Sequence, residues 1–325
     1  MVRLLKDNRG FALILTILII SLIVALTLEF NSSMRTDLHS AANFRDGIRL
    51  NCIAKSGVNC AIAILREDIS KTDFDSLHEV WAHSKVISEA TASIFDQGRF
   101  AVDIKDLSGK IQVNQLVDET GSYDTKQKEL LTAFLNSEQF GLNTDDVGNL
   151  VDTIKDWIDP DNEATGFGAE NSHYQALIVP YSCKNAPLES LKELLLIRGM
   201  TKGLFFGTKE DPGISSCLTV HGDGKININT ADPLVLRHLS EQIDQDMAEA
   251  MVEYRNEERD DLKDPKWYKK VPGMSHVSIN PELLTTSSTY FEIRSDGFEG
   301  TMTRSIKAIV ERKSDTIKLL SWTTE

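Results

Sequence analysis

The sequence predicts an α+β protein: a long N-terminal helix, a strand region, a large helical insertion and a second strand region. Three observations carry this reading. Residues 11–28 (FALILTILIISLIVALTL) hold no charge, and apolar residues continue beyond them at helical spacing. Apolar and polar residues alternate, as in strands, over 99–114 and again over 293–311. Between those regions the pattern is helical, so strands and helices are segregated and do not form alternating βαβ units.

The uncharged run would make a helix of about 27 Å, close to the hydrocarbon thickness of a bilayer. Arg3, Lys6 and Arg9 precede it against Asp7. The positive-inside rule then keeps residues 1–10 in the cytoplasm and sends everything after residue 30 across the membrane. A cleaved secretory signal, a permanent signal anchor and a prepilin leader all begin this way. Ala25-Leu26-Thr27 is a poor small-x-small cleavage site, and the run exceeds the roughly 7–15 residues of a signal core. Gly10 sits at the junction of charged leader and apolar run. The helical pattern then continues through Met34, Leu38, Ala41, Phe44 and Ile48 to Val58, Ile62, Leu65 and Ile69. No proline occurs between residues 11 and 70, although Gly47 and Gly57 would each weaken a helix by about 1 kcal/mol.

A leader ending in glycine before one long, half-apolar helix resembles the type IV pilin and pseudopilin family. The resemblance implies cleavage between Gly10 and Phe11 by a prepilin peptidase, then N-methylation of Phe11. Most of that family carry Glu at the fifth mature position, where this chain has Leu15.

Residues 71–97 are mixed and polar, helix or loop. The alternation over Arg99–Asn114 around Ser108-Gly109 predicts a β-hairpin. Gly109-Lys-Ile-Gln-Val-Asn is echoed by Gly224-Lys-Ile-Asn-Ile-Asn, which suggests two turn–strand–helix junctions. Helical periodicity marks Lys126–Asn136, Asp145–Trp157 and Ser190–Arg198, the last stopping at Gly199. Asp232 caps a further helical stretch over 233–258, with Pro233 at its first position. Ile293–Glu311 returns to strand character.

Composition excludes several functions. The 325 residues, 41% of them hydrophobic, suit about two domains with real cores. A net charge of −14 argues against a general nucleic-acid binder, because phosphate recognition needs clustered Lys and Arg. Four cysteines without a C-x-x-C pair make neither a disulfide scaffold nor a zinc site. His78 and His83 are five apart, which puts their rings on different helix faces and rules out a zinc-protease helix. No nucleophile elbow or phosphate-cradling glycine motif occurs, so no enzyme is predicted. Residues 226–236, 248–255 and 271–274 resemble a helix-hairpin-helix module. Its link, 240–244, carries acids and no glycine, so it reads as packing rather than DNA binding.

The strongest local signal is acidic. Asp159, Asp161 and Glu163 are spaced by two, and Glu170 lies eleven beyond Asp159, matching positions 1, 3, 5 and 12 of a calcium loop. Ala164 stands where such a loop has glycine, so this is not an EF-hand. Crowded carboxylates repel, and a hard cation with six to eight oxygen ligands relieves that repulsion. A solvated acidic turn is the alternative.

Residues 156–171 (DWIDPDNE…GAEN), 187–200 (PLESLKELLLIRGM) and 224–232 (GKININTAD) resemble the protein K family of type II secretion systems. That resemblance implies a pilin-like body, a long helix packed on an antiparallel sheet, with a large inserted α-domain and bound Ca2+. The divisions are a leader (1–10), a membrane-spanning part (11–30), helix and first strands (31–117), two helical modules (118–217 and 218–286) and closing strands (287–325). Calcium would be held by Asp159, Asp161, Glu163 and Glu170, with Asn171 offering an oxygen where the family carries an acid. The implied function is a non-enzymatic minor pseudopilin. It caps the pseudopilus tip, starts its assembly and supports export across the outer membrane. Implied partners are the I- and J-type minor pseudopilins, the major pseudopilin, the inner-membrane assembly platform and the prepilin peptidase. A signal-anchored periplasmic binding module and a DNA-uptake or type IV pilus minor pilin are the rival classes.

Cys52 and Cys60 lie about 12 Å apart along a helix, too far to bridge. Cys183 and Cys217 lie in irregular segments of an oxidising compartment, where a disulfide is expected; four buried thiols are the alternative.

Overall fold

The computed structural model describes residues 9–90, 94–208, 212–313 and 316–324, so residues 1–8 of the expected leader lie outside the described residues. Helix α1 (Arg9–Ile69) is one uninterrupted element of 61 residues, about 90 Å long. Its large side chains from Phe11 to Phe30 are exposed on every face, and the segment is long and apolar enough to cross a membrane. Further along the helix becomes one-sided: Leu50, Ile53, Ala54, Val58, Ala61 and Leu65 are buried. Met34, Leu38, Phe44 and Ile48 continue the apolar pattern but stay exposed.

In chain order the strands are β1 (Arg99–Asp106), the two-residue β2 (Ile111–Gln112), β3 (Leu218–Thr219), β4 (Ile226–Asn227) and β5 (Leu284–Thr285), then β6 (Tyr290–Glu299), β7 (Met302–Lys313) and β8 (Thr316–Thr324). An antiparallel sheet of order β1-β6-β7-β8 receives the second half of α1 on one face. Inward residues alternate along each strand: Phe100, Val102 and Ile104 on β1, Ile306, Ala308 and Val310 on β7. Gly57 lets helix and sheet approach. A Cβ there would stand 2.1 Å from the Ser295 hydroxyl and 3.0 Å from the Phe100 and Val102 side chains. The residue that weakens the helix is thus the one that seats it.

The expected hairpin over Arg99–Asn114 does not form. β1 pairs with β6, Arg99 facing Phe298, because the chain leaves the sheet at Leu107 and returns only at Tyr290. Beyond the turn, β2 pairs in parallel with β3, and β4 in parallel with β5. The two echoed segments therefore both become short parallel strands. They also touch: Gln112 Nε2 donates to the Lys225 carbonyl at 2.8 Å.

Everything between β1 and β6 is the insertion. After the short α2 (Ser84–Ala90), which belongs to the body, the helices are α3 (Thr125–Leu135), α4 (Thr144–Ile158), α5 (Asn171–Tyr174), α6 (Lys202–Phe206), α7 (Pro233–Arg237) and α8 (Gln245–Glu257). The helix expected over Ser190–Arg198 is a 3-10 run, Leu191–Leu196, with a Ser190/Glu193 capping box. The stretch 233–258 breaks into α7 and α8, each capped by an aspartate, Asp232 and Asp244. Two separate apolar cores result. One runs from Ile53 to Val310 between α1 and the sheet; the other, larger, runs from Ile111 to Leu284 within the insertion.

A buried polar junction ties the two together. Arg312 on β7 pairs with Asp68 at the end of α1 (3.0 Å) and with Asp75, and lies over the Phe291 ring at 4.6 Å. Asn227 and Asn229 of the insertion donate to the Asp75 carbonyl at 3.2 and 3.1 Å. Asp106 accepts from Ser288 Oγ (2.6 Å) and Thr230 Oγ1 (2.5 Å).

Candidate metal centre

Helix α4 has apolar Val147, Leu150, Val151 and Ile154 buried on one side and Asp152, Asp156 and Asp159 along another. Those acids recur at i, i+4 and i+7, so they line up on one face. Asp159 ends the helix, Pro160 prevents its continuation, and the loop to Glu170 folds back over the acidic face. The fold-back is held by backbone N–H groups. Thr165 N donates to Asp156 (3.0 Å) and Phe167 N to Asp152 (3.3 Å). Gly166 makes the turn at φ +54°, and any Cβ at Gly168 would meet Asp156 Oδ2 at 2.0 Å. Beneath lies an aromatic platform, Trp157 edge-on to Tyr174 at 5.1 Å, with Tyr181 stacked on Tyr174.

Folding the loop this way gathers carboxylates. Asp159, Asp161 and Glu170 each bring an oxygen within 4.8 Å of the others. Two oxygens on one calcium ion lie at most about 5 Å apart, so the trio fits a shared ion. Asp159 and Glu170 are buried, and Asp159 Oδ1 and both Glu170 carboxylate oxygens have no hydrogen-bond partner. The Cys183 thiol beside Glu170 gives its hydrogen to the Asp156 carbonyl instead (3.4 Å). Burial, then the neighbouring Asp156 and Asp159, push the Glu170 carboxyl up to about 7. Burial likewise raises Asp159 and Asp156. Buried acids without donors are costly unless a cation neutralises them.

The other expected ligands stand apart. Glu163 is exposed and outside the convergent trio; its N–H donates to Asp161 Oδ1 at 2.7 Å. Asn171 accepts from Cys183 N–H at 2.8 Å through its amide oxygen and donates to the Asn162 side chain, so it braces the loop. Sequence reasoning missed Asn185, whose left-handed backbone (φ +48°) brings its amide to the Asp161 carbonyl and leaves Oδ1 buried without a donor. It also missed Asp152 and Asp156, although their helical spacing to Asp159 was there to read.

The disulfide expected between Cys183 and Cys217 is absent; both are buried free thiols. Cys183 belongs to the acidic loop. Cys217 sits beside β2 and β3, where its carbonyl accepts from Ile111 N–H at 2.9 Å. At the other end of the molecule Gly10, Phe11 and Leu15 lie exposed at the start of α1. Asp68, Asp75 and Glu79 also converge. That group already holds Arg312, and Glu79 accepts from Trp81 Nε1 at 2.6 Å, so it has no vacancy for an ion.

Two family models, both described as type II secretion system (T2SS), protein K, match residues 109–206 and 226–287. Together they cover the insertion and its acidic loop. The type II secretion system protein K of Aeromonas hydrophila is 24% identical over 333 residues, 95% of each chain. The chain belongs to the type II secretion system protein K family. The Klebsiella pneumoniae member is 24% identical over 230 residues, 70% of this chain and 67% of its own. In fold, the chain resembles one in the crystal structure of the GspK-GspI-GspJ complex from the enterotoxigenic Escherichia coli Type 2 Secretion System. The TM-score is 0.68 at 18% identity, covering 88% of this chain and 99% of that one.

Proposed function

We propose that the protein is the minor pseudopilin that ends the pseudopilus, assembling with I- and J-type minor pseudopilins and nucleating the fibre. The observation that carries this is the size and placement of the insertion. A folded unit with its own core, larger than the body's, grows out of the sheet between β1 and β6. Such bulk on one subunit obstructs further subunits from stacking beyond it. Leu15 points the same way. A fifth-position glutamate would neutralise a neighbour's N-terminal amine within the bilayer, where an unpaired charge costs roughly 2.5–3.5 kcal/mol. A subunit with Leu15 leaves such an amine unpaired, while its own Phe11 amine can still be paired by another subunit's acid. One stacking direction is thereby favoured, as an end position requires.

On this reading a prepilin peptidase cuts between Gly10 and Phe11, the new amine is methylated, and the apolar half of α1 crosses the inner membrane with the bulk in the periplasm. The major pseudopilin and the assembly platform follow as later partners. The role is structural, with no catalysis. Calcium fits the acidic loop, held by Asp159, Asp161 and Glu170 with loop carbonyls completing its oxygen shell; its charge would neutralise the buried carboxylates that lack donors. Gold label on the insertion, viewed on assembled fibres, tests the placement. One label at one end is the expected result, and label along the shaft refutes it.

A further inference from the structure

The acidic loop contains a cation of its own. Lys155, one turn before Asp159 on α4, reaches across to bond the Asp159 carboxylate and donates to Thr165 Oγ1 at 2.9 Å. Its side chain is 10% exposed and that of Asp159 wholly buried. The other basic side chains around the loop have partners other than its acids. Arg198 donates to the Gly168 carbonyl (3.4 Å), Lys184 pairs with Glu193 (2.8 Å), and Lys128 lies over the Tyr123 ring (3.8 Å). Lys155 is therefore the one cation paired with an acid of the loop among the described residues, bonded to Asp159 and close enough to Asp156 to hold its carboxyl down.

Its bond is also selective. Lys155 takes Oδ2 of Asp159, and Oδ1 is the oxygen left without a partner. The lysine thus fixes how Asp159 presents its free oxygen and meets part of the charge that a bound ion would meet.

We propose that Lys155 is a built-in counter-ion that sets the calcium affinity of the loop and keeps it folded when calcium is scarce. The proposal rests on the calcium reading above. Two effects give the sign. With the ion absent, Lys155 is the positive charge that stabilises the buried Asp159, so its removal destabilises the ion-free state most. With the ion present, Lys155 and the divalent cation share one carboxylate and repel each other. Removing the lysine raises the free energy of the ion-free state and relieves repulsion in the bound one. Both changes tighten binding. A side chain that served only to position Asp159 would do the opposite, because its loss would weaken binding.

The test uses the full-length protein in detergent, purified in calcium and then exchanged into chelator. Calcium affinity is measured by calorimetry, and terbium luminescence sensitised by the neighbouring Trp157 gives a second reading. Lys155→Met is expected to bind at least tenfold more tightly than wild type and to melt earlier in chelator, with calcium restoring the wild-type melt. Lys155→Gln should behave likewise, and Lys155→Arg should keep the wild-type affinity. Equal or weaker binding by the Met and Gln variants, folded in calcium beside a wild type that binds, overturns the counter-ion role and leaves the calcium site standing. A wild type with no saturable binding that Asp159→Asn removes overturns both.

Discussion

Replacing Arg312 by methionine tests what holds the insertion to the body. Arg312, 9% exposed, pairs through its guanidinium with Asp68 and Asp75 and donates to the Ser288 carbonyl at 3.0 Å. Methionine keeps most of the packing over Phe291 but strands two buried carboxylates. Burial already raises both acids, and Arg312 is the main group opposing that rise. Breaking a buried ion pair by removing one partner costs about 3–5 kcal/mol, a large share of the roughly 5–15 kcal/mol of a folded domain. At about 2–4 °C per kcal/mol, the melting temperature should fall on the order of 10 °C. Thermal unfolding of detergent-solubilised protein at pH 7.5, followed by tryptophan fluorescence, measures it. The deficit should shrink as pH falls, because the stranded acids take up protons. Adding Asp68→Asn and Asp75→Asn to Arg312→Met should recover part of the loss. A single-variant cost below about 1 kcal/mol, or a triple variant no better than the single, would show that Arg312 does not hold the insertion to the body.

Other perturbations give clear signs. Calcium at a hundredfold excess over its Kd should stabilise the protein by about 2.7 kcal/mol, and Asp159→Ala should remove that gain; identical melts in calcium and chelator contradict the site. Gly57→Val drives a branched side chain into Ser295, Phe100 and Val102 and should cost about 1–3 kcal/mol. Gly47→Ala, with open space around it, should instead stabilise by up to about 1 kcal/mol; equal effects at the two glycines would show that the helix does not seat as described. Asp106 is pushed up to about 6, chiefly by burial. Its folded pKa exceeds the unfolded value near 3.9, so its contribution is full below pH 4 and lost as pH rises through 6, on the order of 3 kcal/mol at most. Asp106→Asn should flatten the stability curve between pH 4 and 6, and an unchanged slope there counts against the buried acid.

The long helix was legible because its signals are local: an uncharged run, then apolar residues every three or four positions without proline. Helices α3 and α4 were legible for the same reason, and so was the acidic loop, whose spacing by two survives in Asp159 and Asp161. Partner choice was not legible. Alternation marks Arg99–Asp106 as a strand, yet nothing local says that its neighbour is Tyr290–Glu299 and not the residues after the next turn. The Arg312 junction joins residues 244 and 237 positions apart and has no sequence motif at all. Glu163 fits the spacing but is exposed, and what it gives the loop is its backbone N–H, donated to Asp161. Irregular chain around Cys183 and Cys217 permitted a bridge, whereas each thiol is packed among different neighbours. Gly57 read as a flaw in the helix until the sheet beneath it was in place.

We read this chain as a processed subunit of a fibre and not as a protein held permanently by a signal anchor. Both readings share the apolar helix and the periplasmic bulk, and they part at Gly10. Mass spectrometry of the N-terminus, on protein extracted from its own membrane, separates them in one measurement. A chain beginning with N-methylated Phe11 is the result expected here; a chain beginning at Met1 with its leader intact would contradict it.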